Sequence, residues 1–95
     1  MIRHAVLLVI KPDTPADQTA KMVDEIRAMP SSIPMIREWE VGFGLRPGGA
    51  TVGIVGLFDS LDTFAHYMEH EEHKRVAQHY IVPIMESGTQ VQFEI

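Results

Sequence analysis

The sequence contains no cysteine. That excludes a disulfide framework, a thiolate zinc site and a cysteine nucleophile. Positive charge is scarce: eight Lys and Arg stand against thirteen Asp and Glu, for a formal net charge of −5 and a pI of 5.4. Phosphate backbones demand a basic stripe, so no nucleic-acid partner is expected. Long apolar runs are also missing. The longest, Ala5 to Ile10, is six residues, where a membrane span needs about 20. Lys11 and Pro12 end that run without a small-residue cleavage site, so it does not read as a secretory core. The expectation is a cytoplasmic protein with no membrane association. There is no internal repeat, low-complexity tract or linker.

What is present suits one domain over residues 1–95. Hydrophobic residues make up 45% and the mean hydropathy is zero, a composition that folds. A domain this small buries only about 60–70% of its unfolded surface. Oligomerisation is a common remedy, and the strand patterns point to it.

The first segment, Ile2 to Ile10, is β-rich and ends at Lys11-Pro12-Asp13. Ile2, His4, Val6, Leu8 and Ile10 alternate onto one face, and Arg3, Ala5, Leu7 and Val9 onto the other. Both faces are mostly apolar, so the strand expects cover on both sides. A helix then opens at Thr14, with Pro15 at its first position and Asp17 completing an approximate capping box. Met22, Val23, Ile26 and Met29 form its apolar stripe. Pro30 and Pro34 stop it.

Alternation returns from Met35 to Leu45, with Trp39, Val41 and Phe43 on one side and Glu38, Glu40 and Gly42 on the other. Arg46-Pro47-Gly48-Gly49 is a turn. Val52 to Phe58 is a third strand, apolar on both faces, where Gly53 and Gly56 mark a bulge or a close approach. Asp59 and Ser60 cap a second helix carrying Leu61, Phe64, Ala65, Tyr67 and Met68. The polar stretch Glu69 to Gln78 either continues that helix or breaks and restarts it. Tyr80 to Met85 reads as helix and connection, closed by Gly88. A last strand, Thr89 to Ile95, is expected to turn Val91, Phe93 and Ile95 inward and Gln90, Gln92 and Glu94 outward.

The order βαββαβ, with two right-handed crossovers, predicts an α+β, ferredoxin-like fold. Its four-stranded antiparallel sheet carries both helices on one face. The other face is bare yet partly apolar. A second copy packing sheet to sheet would hide it, which predicts a two-fold homodimer forming an α/β barrel.

Four of the five histidines lie between positions 66 and 79. His66, His70 and His73, at i, i+4 and i+7, would share a face of an unbroken helix and could meet a metal there. No further ligand is evident, and no metal or other cofactor is assigned. Tyr67 and His73 are better candidates, because a kink after Tyr67 would aim both at one cavity. His4 stands mid-strand among aliphatic residues, where an unpaired polar group costs about 1–3 kcal/mol. It is either a core histidine tied to a carbonyl or part of a site. A histidine and a tyrosine facing a small apolar cavity suit proton transfer next to a carbonyl. Trp39 and Phe43 read as core or as pocket lining. Ser60 lacks a nucleophile-elbow context, and the glycines at 42, 44, 48 and 49 lack the setting of a phosphate cradle.

Several segments together carry a resemblance. They are Ile2-Arg3-His4-Ala5-Val6-Leu7, Ile33-Pro34 leading into Glu40-Val41-Gly42, Phe58-Asp59-Ser60-Leu61, Tyr67-Met68-Glu69-His70-Glu71-Glu72-His73, and the closing Val91-Gln92-Phe93-Glu94. Over nearly the whole chain they resemble the Dabb family, the stress-responsive dimeric α/β-barrel proteins. The resemblance implies a ferredoxin-like protomer whose sheet packs on its mate. Many members have no established activity. A plant member is a polyketide cyclase that closes a poly-β-keto thioester by aldol condensation. It uses a tyrosine and a histidine of a Tyr-x-x-His-Pro-x-His segment, helped by a histidine on the first strand. The matching positions here are Tyr67, His73 and His4, with His70 as the first histidine of the segment. His70, Trp39 and Phe64 are the accompanying candidates for ligand binding.

Glu71 replaces the family's proline. Proline would force a break, whereas glutamate permits helix. Glu71 and Glu72 are also expected to favour imidazolium at His73. The leading expectation is a homodimer that binds a small apolar or polyketide-like carbonyl compound, with His73 as base, Tyr67 as donor to an enolate and His4 as a positioning group. The alternatives are a binding or stress-protective dimer with structural histidines, and a cofactor-free monooxygenase of the related barrel type.

Overall fold

The computed structural model describes every residue from Met1 to Ile95. Strand β1 (Ile2–Ile10) leads into helix α1 (Ala16–Arg27) and a 3-10 turn at Met29–Ser31. Strands β2 (Glu38–Phe43) and β3 (Val52–Phe58) follow, then helices α2 (Leu61–Glu69) and α3 (Glu71–Val76), a π-helical turn at Ala77–Ile81 and strand β4 (Met85–Glu94). The sheet order is β2-β3-β1-β4, antiparallel throughout. This is the expected ferredoxin-like arrangement, with its second helix in two pieces.

The period-2 pattern of β1 divides the sheet. Ile2, His4, Leu8 and Ile10 are buried under the helices, with Val52, Ile54 and Phe58 of β3 beside them. Met22, Val23, Ile26 and Met29 close the core from α1 and the turn after it, and Tyr67 and Val76 from α2 and α3. The opposite face is open. Leu7 keeps 52% of its surface, Val91 53% and Phe93 49%.

Those last two residues correct the expectation for β4. Register pairs His4 with Gln92 and Val6 with Gln90, and directly opposed residues share a face. Gln90 and Gln92 therefore face the helix side, while Val91 and Phe93 face the open side. An alternating edge strand looks the same whichever face its neighbours bury, so only the register decides. β4 also begins earlier than expected, at Met85, with an irregularity opposite Val9 and Ile10.

Two helix starts differ in outcome. Ser60 caps α2 as expected, its Oγ accepting from the Thr63 N–H at 3.2 Å. Thr14 does not cap α1. Pro15 holds the cap position, without a side-chain bond, and the helix begins at Ala16. The second helix breaks at His70, whose backbone is extended (φ −65°, ψ 138°). Proline is not needed for that break. The His70 Nδ1 accepts from the Glu72 N–H at 3.1 Å and so caps α3, and Glu71 and Glu72 sit in the first turn, where acidic residues favour the helix dipole.

Gly56 is the close approach expected in β3. It lies opposite Trp39, and a Cβ there would stand 2.8 Å from Cε3 and Cζ3 of the indole. The ring has little freedom to yield, because its Nε1–H donates to the Ile26 carbonyl at 2.9 Å. Gly56→Ala is expected to cost about 1–3 kcal/mol through overpacking, measured by denaturant unfolding. An unchanged midpoint would show that the indole swings aside.

Candidate functional site

His4 reaches the site from the middle of β1, Tyr67 from the last turn of α2 and His73 from α3. The break at His70 is what turns the last two toward each other. The rings of Tyr67 and His73 lie 4.5 Å apart, and those of His4 and Tyr67 5.9 Å apart. All three line a cavity of about 100 Å³ between sheet and helices, with Gln90 as its fourth polar residue and side chains such as Ile26, Met29, Met68 and Ile81 as its apolar wall.

Each polar group has a defined state. The Nδ1 of His73 lies 3.1 Å from the Met68 carbonyl oxygen. A carbonyl only accepts, so Nδ1 carries the proton and Nε2 is left with a free lone pair. Burial pushes the His73 pKa below its ordinary 6.5, outweighing the Met68 carbonyl and the Glu69 charge that pull the other way. The expected imidazolium is thus replaced by neutral imidazole at pH 7. Glu72 does not reverse this, because its carboxylate is bonded to the Arg75 guanidinium. Burial, helped by repulsion from His73 when both rings carry a proton, lowers His4 to about 4. Its Nδ1 lies 3.0 Å from the Gln92 amide nitrogen, which meets its need for a partner. Burial also raises the Tyr67 phenol well above its ordinary value, so the hydroxyl keeps its proton.

The other candidates stand behind these three rather than in the cavity. Phe64 packs on His4 at 4.8 Å between ring centroids. Trp39 packs edge-on against Tyr67 at 6.0 Å, with its N–H committed to Ile26. His70 is the α3 cap. None of them lines the cavity; Trp39 and Phe64 pack against rings that do. No group of three His, Asp or Glu side chains is placed to hold a metal ion, and the break at His70 disrupts the helical face that His66, His70 and His73 would have shared. Gln90 and Gln92 were missed. The signal available was the need of His4 for a partner, which a residue opposite it on a neighbouring strand could meet.

The profile of the stress responsive A/B barrel domain matches residues 2–95. The chain belongs to the Dabb family. Among solved structures, this Dabb chain is similar to a dimeric protein of unknown function and ferredoxin-like fold from Bacteroides fragilis, at 28% identity over 99% of this chain and 95% of that one, with a TM-score of 0.87. A dimeric ferredoxin-like protein of unknown function from Thermobifida fusca is 26% identical over 99% and 90%, with a TM-score of 0.88. A hydroxynitrile lyase from Passiflora edulis shares the fold at 20% identity over 99% and 92%, with a TM-score of 0.87. No curated protein sequence matches the chain significantly. No helix is long and apolar enough to cross a membrane.

The lowered His4 pKa sets a pH dependence. His4 takes a proton near pH 4 in the folded state and near 6.5 once unfolded. Between those values the unfolded chain binds more protons, so stability rises with pH across the window and is fully present above it. The His4 contribution lost on acidification is about 3 kcal/mol. Unfolding free energies measured from pH 4 to 7 should show this slope, and His4→Leu should reduce it, leaving the part that His73 contributes through its own lowered pKa. An equal slope in the variant would assign the effect to other groups.

Proposed function

We propose that this Dabb chain works as a homodimer whose protomer cavity moves a proton at the carbon beside a carbonyl in a small apolar compound. The observation that carries the reading is the His73 ring, tied through Nδ1 to the Met68 carbonyl and 4.5 Å from the Tyr67 ring, with both lining an apolar cavity. His73 Nε2 takes the α-proton, the C–H electron pair becomes the C=C bond as the carbonyl π pair moves onto oxygen, and Tyr67 donates a hydrogen bond to that enolate. His4 positions the same oxygen. The enolate is then reprotonated or attacks a second carbonyl in an aldol closure.

The cavity volume bears on the substrate. A drug-sized site has about 300 Å³ or more, and a dry cavity of about 150 Å³ holds benzene. A volume of about 100 Å³ favours a short carbonyl compound over a polyketide chain, and gives the cofactor-free monooxygenase of aromatic polyketides no support. It is also the observation in favour of the second reading, a binding or stress-protective dimer without chemistry. Deuterium exchange at the α-carbon of short ketones and aldehydes, followed by NMR in D₂O, separates the two. His73→Ala is expected to slow exchange by about 10²-fold or more with the assembly intact. Equal exchange in the variant removes the mechanism, and none in the unmodified protein leaves the binding reading.

The dimer is supported by Leu7, Val91 and Phe93 on the open sheet face, since exposed apolar patches of this kind mark interfaces, and by the dimeric relatives from B. fragilis and T. fusca. Sedimentation at micromolar concentration should give twice the chain mass. The double substitution Val91→Asp and Phe93→Asp should weaken association by about a hundredfold or more, because it sets like charges in a desolvated interface. A monomeric unmodified chain would sink this part of the proposal.

A further inference from the structure

We infer that Gln92 is a positioning residue for this site: with Gln90 behind it, its amide holds His4 as the Nε2–H tautomer, so that His4 offers the cavity a donor while His73 offers it an acceptor. The β1–β4 register sets Gln92 directly across from His4, and Gln90 two residues along on the same face. The Gln92 amide nitrogen lies 3.0 Å from His4 Nδ1 and 3.0 Å from Gln90 Oε1. An amide nitrogen has two protons to give and no lone pair to receive one. Both contacts are therefore donations, and His4 Nδ1 accepts. The single ring proton of the neutral imidazole is left on Nε2.

His73 is held the other way round by the Met68 carbonyl. Two imidazoles at one small cavity thus have opposite tautomers, each fixed by its own hydrogen-bond partner. A mainchain carbonyl fixes the acceptor and a side-chain amide fixes the donor. This pairing narrows the chemistry of the ligand. It must carry an oxygen able to accept from His4 Nε2–H and from the Tyr67 hydroxyl, and a proton within reach of His73 Nε2. Two donors on one oxygen stabilise a developing enolate, which neither does as well alone. The catalytic meaning rests on the proton-transfer reading above, whereas the tautomer assignment does not.

A carboxylate at position 92 would demand the reverse, since it can only accept and would draw the proton to Nδ1. The titratable groups facing His4 are Tyr67 from α2 and His73 from α3, and its other ring neighbours, Phe58 and Phe64, carry no charge. Long-range ¹⁵N–¹H correlation spectra at pH 7 should show His4 protonated at Nε2 and bare at Nδ1 in the unmodified protein. In Gln92→Glu the proton should appear at Nδ1, and the His4 titration midpoint should rise from about 4 by about one unit or more. In Gln92→Leu the Nε2–H form should cease to be the sole tautomer, and α-deuterium exchange should lose kcat by about tenfold with KM little changed. An Nδ1–H form of His4 in the unmodified protein overturns the assignment without any variant. An unaltered tautomer in a folded Gln92→Leu protein removes the role of Gln92. If the unmodified protein shows the expected tautomer but no exchange, the proton-transfer reading falls and the positioning of His4 stands.

Discussion

A buried imidazole in the middle of the central strand is the constraint from which the site is built. His4 is 2% exposed and has aliphatic residues before and after it on its own face. Such a group must be neutral and hydrogen-bonded, or the sheet loses stability. Burial supplies the neutrality, and β4 supplies the bond through Gln92. The cavity exists because the helices cover this face without filling the space above His4, and Tyr67 and His73 close it from above. The arrangement turns on where the second helix breaks, and His70 sets that point by capping the helix that follows.

Much of the fold was legible from periodicity. β1 and β3 are short runs of strong β formers bounded by turn residues, Ser60 is a good cap ahead of an apolar stripe, and the α1 stripe repeats at helical spacing. The convergence of His4, Tyr67 and His73 was legible too, although through the family resemblance as much as through spacing. The rest depended on register, which sequence alternation does not specify. Gln90 and Gln92 read as solvent-facing because they are polar, and Val91 and Phe93 as core because they are not. Hydrogen-bond pairing with β1 put the two glutamines on the helix side of the sheet, where Gln90 is still exposed, and Val91 and Phe93 on the open side.

Charge was misleading for a related reason. Glu71 and Glu72 lie next to His73 in sequence and were expected to hold it protonated. In the folded chain Arg75 engages Glu72, and the loss of water around His73 outweighs what remains. Trp39 and Phe64 illustrate a third limit. Aromatic residues near a site do not reveal in sequence which layer they occupy, and here both lie one layer back, packed against rings that line the cavity. A sequence separates a lining residue from its backing only once the layer spacing is known.

Trp39 is the chain's one tryptophan, and it is clamped by its bond to α1 while its edge rests on Tyr67. That placement makes the indole a built-in optical gauge. Any guest that shifts Tyr67 alters the surroundings of a single fluorophore, with no other indole to blur the signal, so occupancy of the cavity can be followed by emission without labelling the protein.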